Sequence, residues 1–145
     1  MDDMRIPPAG LFVLAAGAQL LHGRLSTPRL TLAAPLLAAS GALGVAALGG
    51  FARAGTTFDP VRIDRASALV TDGVLAHTRN PMYLALAGAL VAHALARGSW
   101  PGLLPVAGFV WAVDRGQVAA EEAVLRERFG PEYEAYARRV PRWIT

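Results

Sequence analysis

Charged residues are set apart from four uninterrupted apolar intervals. These run from Ile6 to Gly23, Leu30 to Ala52, Asn80 to Ala96 and Gly98 to Val113, and they are 18, 23, 17 and 16 residues long. A helix needs roughly 20 apolar residues to cross the hydrocarbon core, with a range of about 17 to 25. The second interval meets this outright and the others sit near its lower bound. The pattern therefore predicts an all-α, polytopic membrane protein with four transmembrane helices, at about 6–23, 30–52, 81–96 and 98–113, in a single membrane-embedded domain over residues 1–145. The opening MDDMRIPP is acidic and proline-bearing, and no small-residue cleavage site leads into a soluble domain, so the first interval reads as a membrane helix and not a signal peptide.

Two polar segments, 53–79 and 114–145, separate and follow these intervals. In QVAAEEAVLRERFG, helical spacing puts Glu122 on the face of Val118, Leu125 and Phe129, where a carboxylate needs a partner. Arg126, one turn on, offers a salt bridge. Gly130-Pro131 then ends that helix and opens PEYEAYARRV, which carries Tyr133, Tyr136 and Val140 along one side. These residues predict a C-terminal helical segment. Within the apolar intervals, Ala34, Ala38, Ala42, Ala46 and Gly50 repeat every four residues, as do Gly88, Ala92 and Ala96. Small residues at that spacing let backbones approach closely in lipid, and the longer stripe permits a homo-oligomer.

Composition agrees with a lipid environment, with 54% hydrophobic residues, 17% charged residues and a mean hydropathy of +0.37. All fourteen basic residues are arginine, scattered between apolar runs and not gathered into a patch, so no nucleic-acid partner is expected. With a cytoplasmic N-terminus, eleven arginines (5, 53, 62, 65, 79, 115, 126, 128, 138, 139, 142) fall on that side and three (24, 29, 97) on the other. This bias predicts a multi-pass protein of the cell membrane with both termini, and both polar segments, in the cytoplasm. The absence of cysteine excludes a disulfide framework and a thiol nucleophile. No histidines and carboxylates stand at metal-ligand spacing and no phosphate-binding glycine loop is present, so neither a metal nor a nucleoside triphosphate is expected.

The chemistry-bearing residues gather at HTRNPMY, residues 77–83. Pro81 suits the first turn of a helix and Asn80 its N-cap. Arg79 reads either as a snorkelling anchor or as part of an anion site at a helix N-terminus. Tyr83 is explained by neither. His93, inside the third interval, reads as a neutral histidine bonded to a neighbouring helix, and Asp114 reads as the partner of Arg115.

LVTDGVLAHTRNPMYLA and, after the fourth apolar interval, EEAVLRERFGPEYEAYARRVPRWI together resemble the bacterial relatives of isoprenylcysteine carboxyl methyltransferase and phospholipid methyltransferase, over residues 56–145. The resemblance implies an integral-membrane methyltransferase that uses S-adenosyl-L-methionine without a nucleotide-binding sheet domain, its site built by segments 67–83 and 114–145. It implies that Leu69, Val70, Leu75, Asn80, Pro81, Met82 and Tyr83 line the cofactor pocket, that Arg79 braces it, and that Glu121 reaches the polar end of the cofactor. Glu122 is then a second contact or a structural brace. Gln117 stands where the isoprenylcysteine enzymes place an arginine toward the substrate carboxylate, which turns the expected acceptor away from prenylcysteine and toward another lipid-like or small apolar molecule. Two other readings stay open at this point. One is a membrane reductase of the sterol reductase type using NADPH; the other is a non-catalytic membrane protein of the same fold.

Overall fold

The computed structural model describes residues 6–56 and 67–144, and among them every regular element is helical. Arg5, Arg62 and Arg65, counted above toward orientation, lie outside the described residues. The elements are α1 (Pro8–Gln19), α2 (Thr27–Arg53), a 3-10 turn (Gly73–Ala76), α3 (Pro81–Arg97), α4 (Leu103–Ala112), a π-helical segment (Val113–Val118) and α5 (Ala119–Arg139). Of the described helices, α2 is long and apolar enough to cross a membrane, with a mean hydropathy of 1.8. At about 1.5 Å per residue its 27 residues reach about 40 Å.

The other apolar intervals are trimmed by their own turn residues. The first is helical only over Pro8–Gln19, because the chain turns at Leu20 to His22 and passes through Gly23 at φ +65°. The fourth starts at Leu103 instead of 98, since Gly98 takes up the left-handed conformation at φ +63° that ends α3 and Pro101-Gly102 complete the turn. From Leu103 the helix runs without interruption through the π segment into α5 and bends at Gly130, at φ +46° directly before Pro131. The break expected at Gly130-Pro131 is therefore present as a kink.

Helix α3 is the centre of the bundle. One side of it, Tyr83, Ala87 and Leu90, packs with Ala15, Val106, Phe109, Val113 and Val118 from α1, α4 and the π segment. Its small-residue stripe faces α2, where Ala92 and Ala96 pack on Ala33 and a Cβ at Gly88 would stand 2.3 Å from the Ser40 hydroxyl. On α2, however, the contact runs through Ala33, Ser40 and Ala47, a seven-residue spacing, whereas Ala34, Ala38, Ala42 and Ala46 point outward. Alanine is so frequent in this helix that its four-residue stripe does not mark the packed face. A third cluster joins Tyr133, Tyr136 and Val140 to Leu69, Leu125 and Phe129, so the side predicted for the last helix is the buried one.

The end of the bundle at Arg97 is tied through side chains. Gln19 is fully buried and donates its amide to the carbonyls of Leu90 at 2.9 Å and Gly102 at 2.8 Å. That leaves its oxygen facing His93, whose Nδ1 stands 2.7 Å away and must carry the proton. The expected bond from His93 to a neighbouring helix is thus made with α1. Arg97 donates to the carbonyls of Gln19, Leu20, His22 and Gly23, closing the carbonyls left open where α1 ends.

Candidate functional site at the mouth of α3

The HTRNPMY stretch forms the N-terminal mouth of α3, and a strap of chain after α5 holds it. Arg79 N–H donates to the Pro141 carbonyl at 3.0 Å. The Arg142 carbonyl accepts from Asn80 Nδ2 at 2.8 Å and from the Thr78 hydroxyl at 3.2 Å. Asn80 does precede the first helical residue, Pro81, but its side chain makes no capping bond. It reaches the strap instead, which corrects the N-cap expected from its position. One turn earlier, the Tyr136 hydroxyl donates to the Leu75 carbonyl at 2.7 Å.

Two adjacent carboxylates meet this mouth in opposite surroundings. Glu122, 4% exposed, is a hub of positive charge. Arg142 grips it with Nε on Oε1 at 2.9 Å and Nη2 on Oε2 at 2.7 Å, Arg79 Nη1 stands 3.0 Å from Oε1, and Arg126 Nη2 is 3.4 Å from Oε2. Arg79 also donates to the Tyr133 hydroxyl at 3.0 Å. Burial alone would raise the Glu122 carboxyl, but the Arg142 bond and the charges of Arg79, Arg142 and Arg126 outweigh it and hold the group below the usual carboxylate range. The salt bridge expected to Arg126 exists, yet Arg142 and Arg79 are the closer partners.

Glu121 has only neutral donors. Its Oε1 accepts from the Tyr83 hydroxyl at 2.5 Å and from Gln117 Nε2 at 2.9 Å, and no arginine pairs with it among the described residues. Burial pushes its carboxyl up, and the Tyr83 and Gln117 bonds offset this only in part while the charge of Glu122 adds to it. Among the described residues the site thus contains a carboxylate whose charge no cation answers. A second unanswered atom lies nearby: Nε of Arg79 is buried without a hydrogen-bond partner among the described residues.

Of the residues expected to line a pocket, Leu75, Arg79, Asn80 and Tyr83 are joined by hydrogen bonds to the chain between 114 and 143, together with Glu121, Glu122 and Gln117. Leu69 packs on the tyrosine cluster. Val70 and Pro81 are buried and Met82 is half-buried, and no side-chain bond ties these three to the carboxylates. Gln117, expected toward the substrate, donates its amide to Glu121. Arg115 points away, with its side chain 75% exposed. Asp114 is 3.9 Å from it, so that expected pair is peripheral. Asp114 is held instead by Arg142 Nη1, at 3.1 Å from both oxygens, and by the Trp143 indole at 2.8 Å.

The sequence suggests only an orientation charge at Arg142 and an interfacial-layer residue at Trp143; their place beside Asp114 in this site is what it does not suggest. The signal available was Pro141, which ends the helical pattern and sends the next residue along an extended path back to the bundle. The π segment also went unread. Its extra residue per turn shifts the facing of side chains between Asp114 and Glu121, a distortion common at functional sites.

Residues 28–132 match the phospholipid methyltransferase family. Over 112 residues the chain is 30% identical to the protein-S-isoprenylcysteine O-methyltransferase of Schizosaccharomyces pombe, covering 71% of this chain and 48% of that enzyme, so it spans about half that relative's length. Over 63 residues it is 38% identical to the whole of an uncharacterized Haemophilus influenzae protein, covering 43% of this chain. No solved structure matches.

Proposed function

Because the chain belongs to the phospholipid methyltransferase family, we propose that it is an S-adenosyl-L-methionine-dependent methyltransferase of the membrane, acting on a lipid-like or small apolar acceptor. In this reading residues 1–145 form one embedded domain, α1 to α4 cross the bilayer, and both termini and the Glu121 site face the cytoplasm. The observation that carries it is Glu121, a carboxylate oriented by Tyr83 and Gln117 and left without a cation among the described residues. The residues fit the cofactor's charges: Glu121 suits a cationic group, and the orphaned Nε of Arg79 suits an acceptor oxygen.

When bound, S-adenosylmethionine supplies a methyl group on a positively charged sulfur. Transfer by in-line displacement asks the protein mainly for positioning, so most of the work falls to residues that hold still. Glu122, clamped by three arginines, fixes Arg79, and Arg79 together with the strap fixes the mouth of α3. Glu121 supplies negative charge in a partly dry setting, where it attracts a cation more strongly than in water. Leu69, Val70, Leu75 and Met82 give the apolar side suited to an adenine ring, with Asn80 and Pro81 setting the backbone between them. Gln117 acts here by positioning Glu121.

Calorimetric titration of the detergent-solubilised chain with S-adenosylhomocysteine tests this. Saturable binding is expected, weakened about ten-fold or more in Glu121→Ala and less in Tyr83→Phe, since a hydrogen bond to a charged group contributes ~1.5–3 kcal/mol. Absence of binding by the unaltered chain overturns the proposal, and saturable binding of NADPH would transfer the site to the reductase reading.

A further inference from the structure

The end of the bundle away from Glu121 carries charge of one sign. Between Asp3 and Asp59, and again between Asp72 and Asp114, the sequence holds no acidic residue, so Arg24, Arg29 and Arg97 share this end with no carboxylate from the segments that form it. Arg97 is buried and occupied by the carbonyls of α1. Arg29 is exposed and has no hydrogen bond or ion pair among the described residues. Its guanidinium lies over Gly98, a glycine at positive φ where a Cβ would stand 2.4 Å from Cζ and Nη1.

Beside Arg29 lies a cleft of about 280 Å³, walled by Leu95, Gly98, Ser99, Trp100 and Leu103. Its polar groups sit together. The Ser99 oxygen accepts from Gly102 N–H at 3.0 Å, which leaves the hydroxyl proton to donate. Its rim is apolar, with Trp100 82% exposed and Leu95 also exposed. A small free anion would use the arginine and the serine and leave the rim unexplained. An amphipathic ligand uses both.

We propose that this cleft holds the headgroup of an anionic phospholipid, with phosphate on Arg29 and Ser99, the glycerol beside the Trp100 ring, and an acyl chain along Leu95 and Leu103. The membrane supplies the counter-charge that the sequence omits at this end, and an indole at headgroup depth matches the ordinary placement of interfacial tryptophan. This rests on the reading that α2 and α3 cross the bilayer. The site is separate from the methyl-transfer site, at the opposite end of α3.

The test uses the full chain with Trp111→Phe and Trp143→Phe, so that Trp100 is the sole tryptophan, reconstituted into phosphatidylcholine vesicles carrying a minor fraction of bromine-labelled lipid. Flotation with the vesicles checks the membrane reading by itself; a chain that stays behind overturns that reading and this inference with it. For chain that floats, labelled phosphatidylglycerol is expected to quench Trp100 more than equally labelled phosphatidylcholine, reflecting local enrichment of about five-fold for one basic residue at the surface. Arg29→Gln abolishes the difference, and added inorganic phosphate leaves it intact. Equal quenching by the two lipids overturns the lipid site, and loss of the preference in phosphate reassigns it to a free anion. Should the double variant not fold, native mass spectrometry of the unaltered chain reads the same preference as retained phosphatidylglycerol, lost in Arg29→Gln; equal retention of both lipids overturns it.

Discussion

The two ends of α3 solve the same electrostatic problem differently. At the Tyr83 end, arginines 79, 126 and 142 converge on Glu122, and the chain brings its own acid to them. At the Arg97 end no acid stands among the described residues, and arginine is answered by backbone carbonyls or left open. The first arrangement is internally neutralised and holds a shape; the second fastens one helix end and offers charge outward. Within the first, Glu121 is the exception, since its neighbours orient the carboxylate without cancelling it. Rigidity and unspent charge thus sit one residue apart.

The largest expected effect breaks the neutralised end. Arg142→Met leaves Asp114 and part of Glu122 uncompensated and should lower stability by about 3 kcal/mol, the low end for a broken buried pair because Arg79 and Arg126 remain. Denaturant unfolding in mixed micelles measures it. At the other end Arg97→Met strips four carbonyls of a charged donor, with an expected loss of about 2 kcal/mol by the same assay.

Acid sharpens the contrast. The depressed Glu122 carboxyl contributes stability that is present above its unfolded value, near pH 4.3, and lost as pH falls through its lower folded value. The raised Glu121 carboxyl does the reverse, contributing stability below the unfolded value that is lost as pH rises through its folded value. Unfolding followed from neutral pH downward should therefore show an acid limb that Glu122→Gln flattens and Arg97→Met leaves in place; an unchanged limb in Glu122→Gln would show that the acid response lies elsewhere.

Two glycines give the smallest effects, with opposite signs. Gly98→Ala forces a side chain into a left-handed turn and against Arg29, at a cost of about 1–2 kcal/mol. Gly116→Ala, in the π segment with open space at its Cβ, should be neutral or stabilise by up to about 1 kcal/mol. Thermal denaturation distinguishes the two.

Much of this organisation could be read along the chain. The apolar intervals located the helices, and the joint occurrence of HTRNPMY with the Glu pair marked the two segments that the structure brings together. Tyr133, Tyr136 and Val140 were legible because helical period fixes a face. What failed was information that period does not carry. Arg142 looked like one more topology charge among fourteen arginines, and its role depends on an extended strap folding back over 60 residues. Asn80 has the right identity for a cap, yet a carbonyl from that strap outcompetes the local backbone. The alanine stripe of α2 faces outward and does not meet α3, while the Ser40 and Gly88 contact that does reads as nothing in one helix alone.

The strap also has a history in synthesis. Asp114 and Glu122 precede Arg142 along the chain, so both carboxylates are made before the cation that grips them. Until the strap docks, the mouth of α3 lacks the carbonyls that hold Thr78, Arg79 and Asn80. Closure of this mouth thus waits until all the helices that flank it have been made.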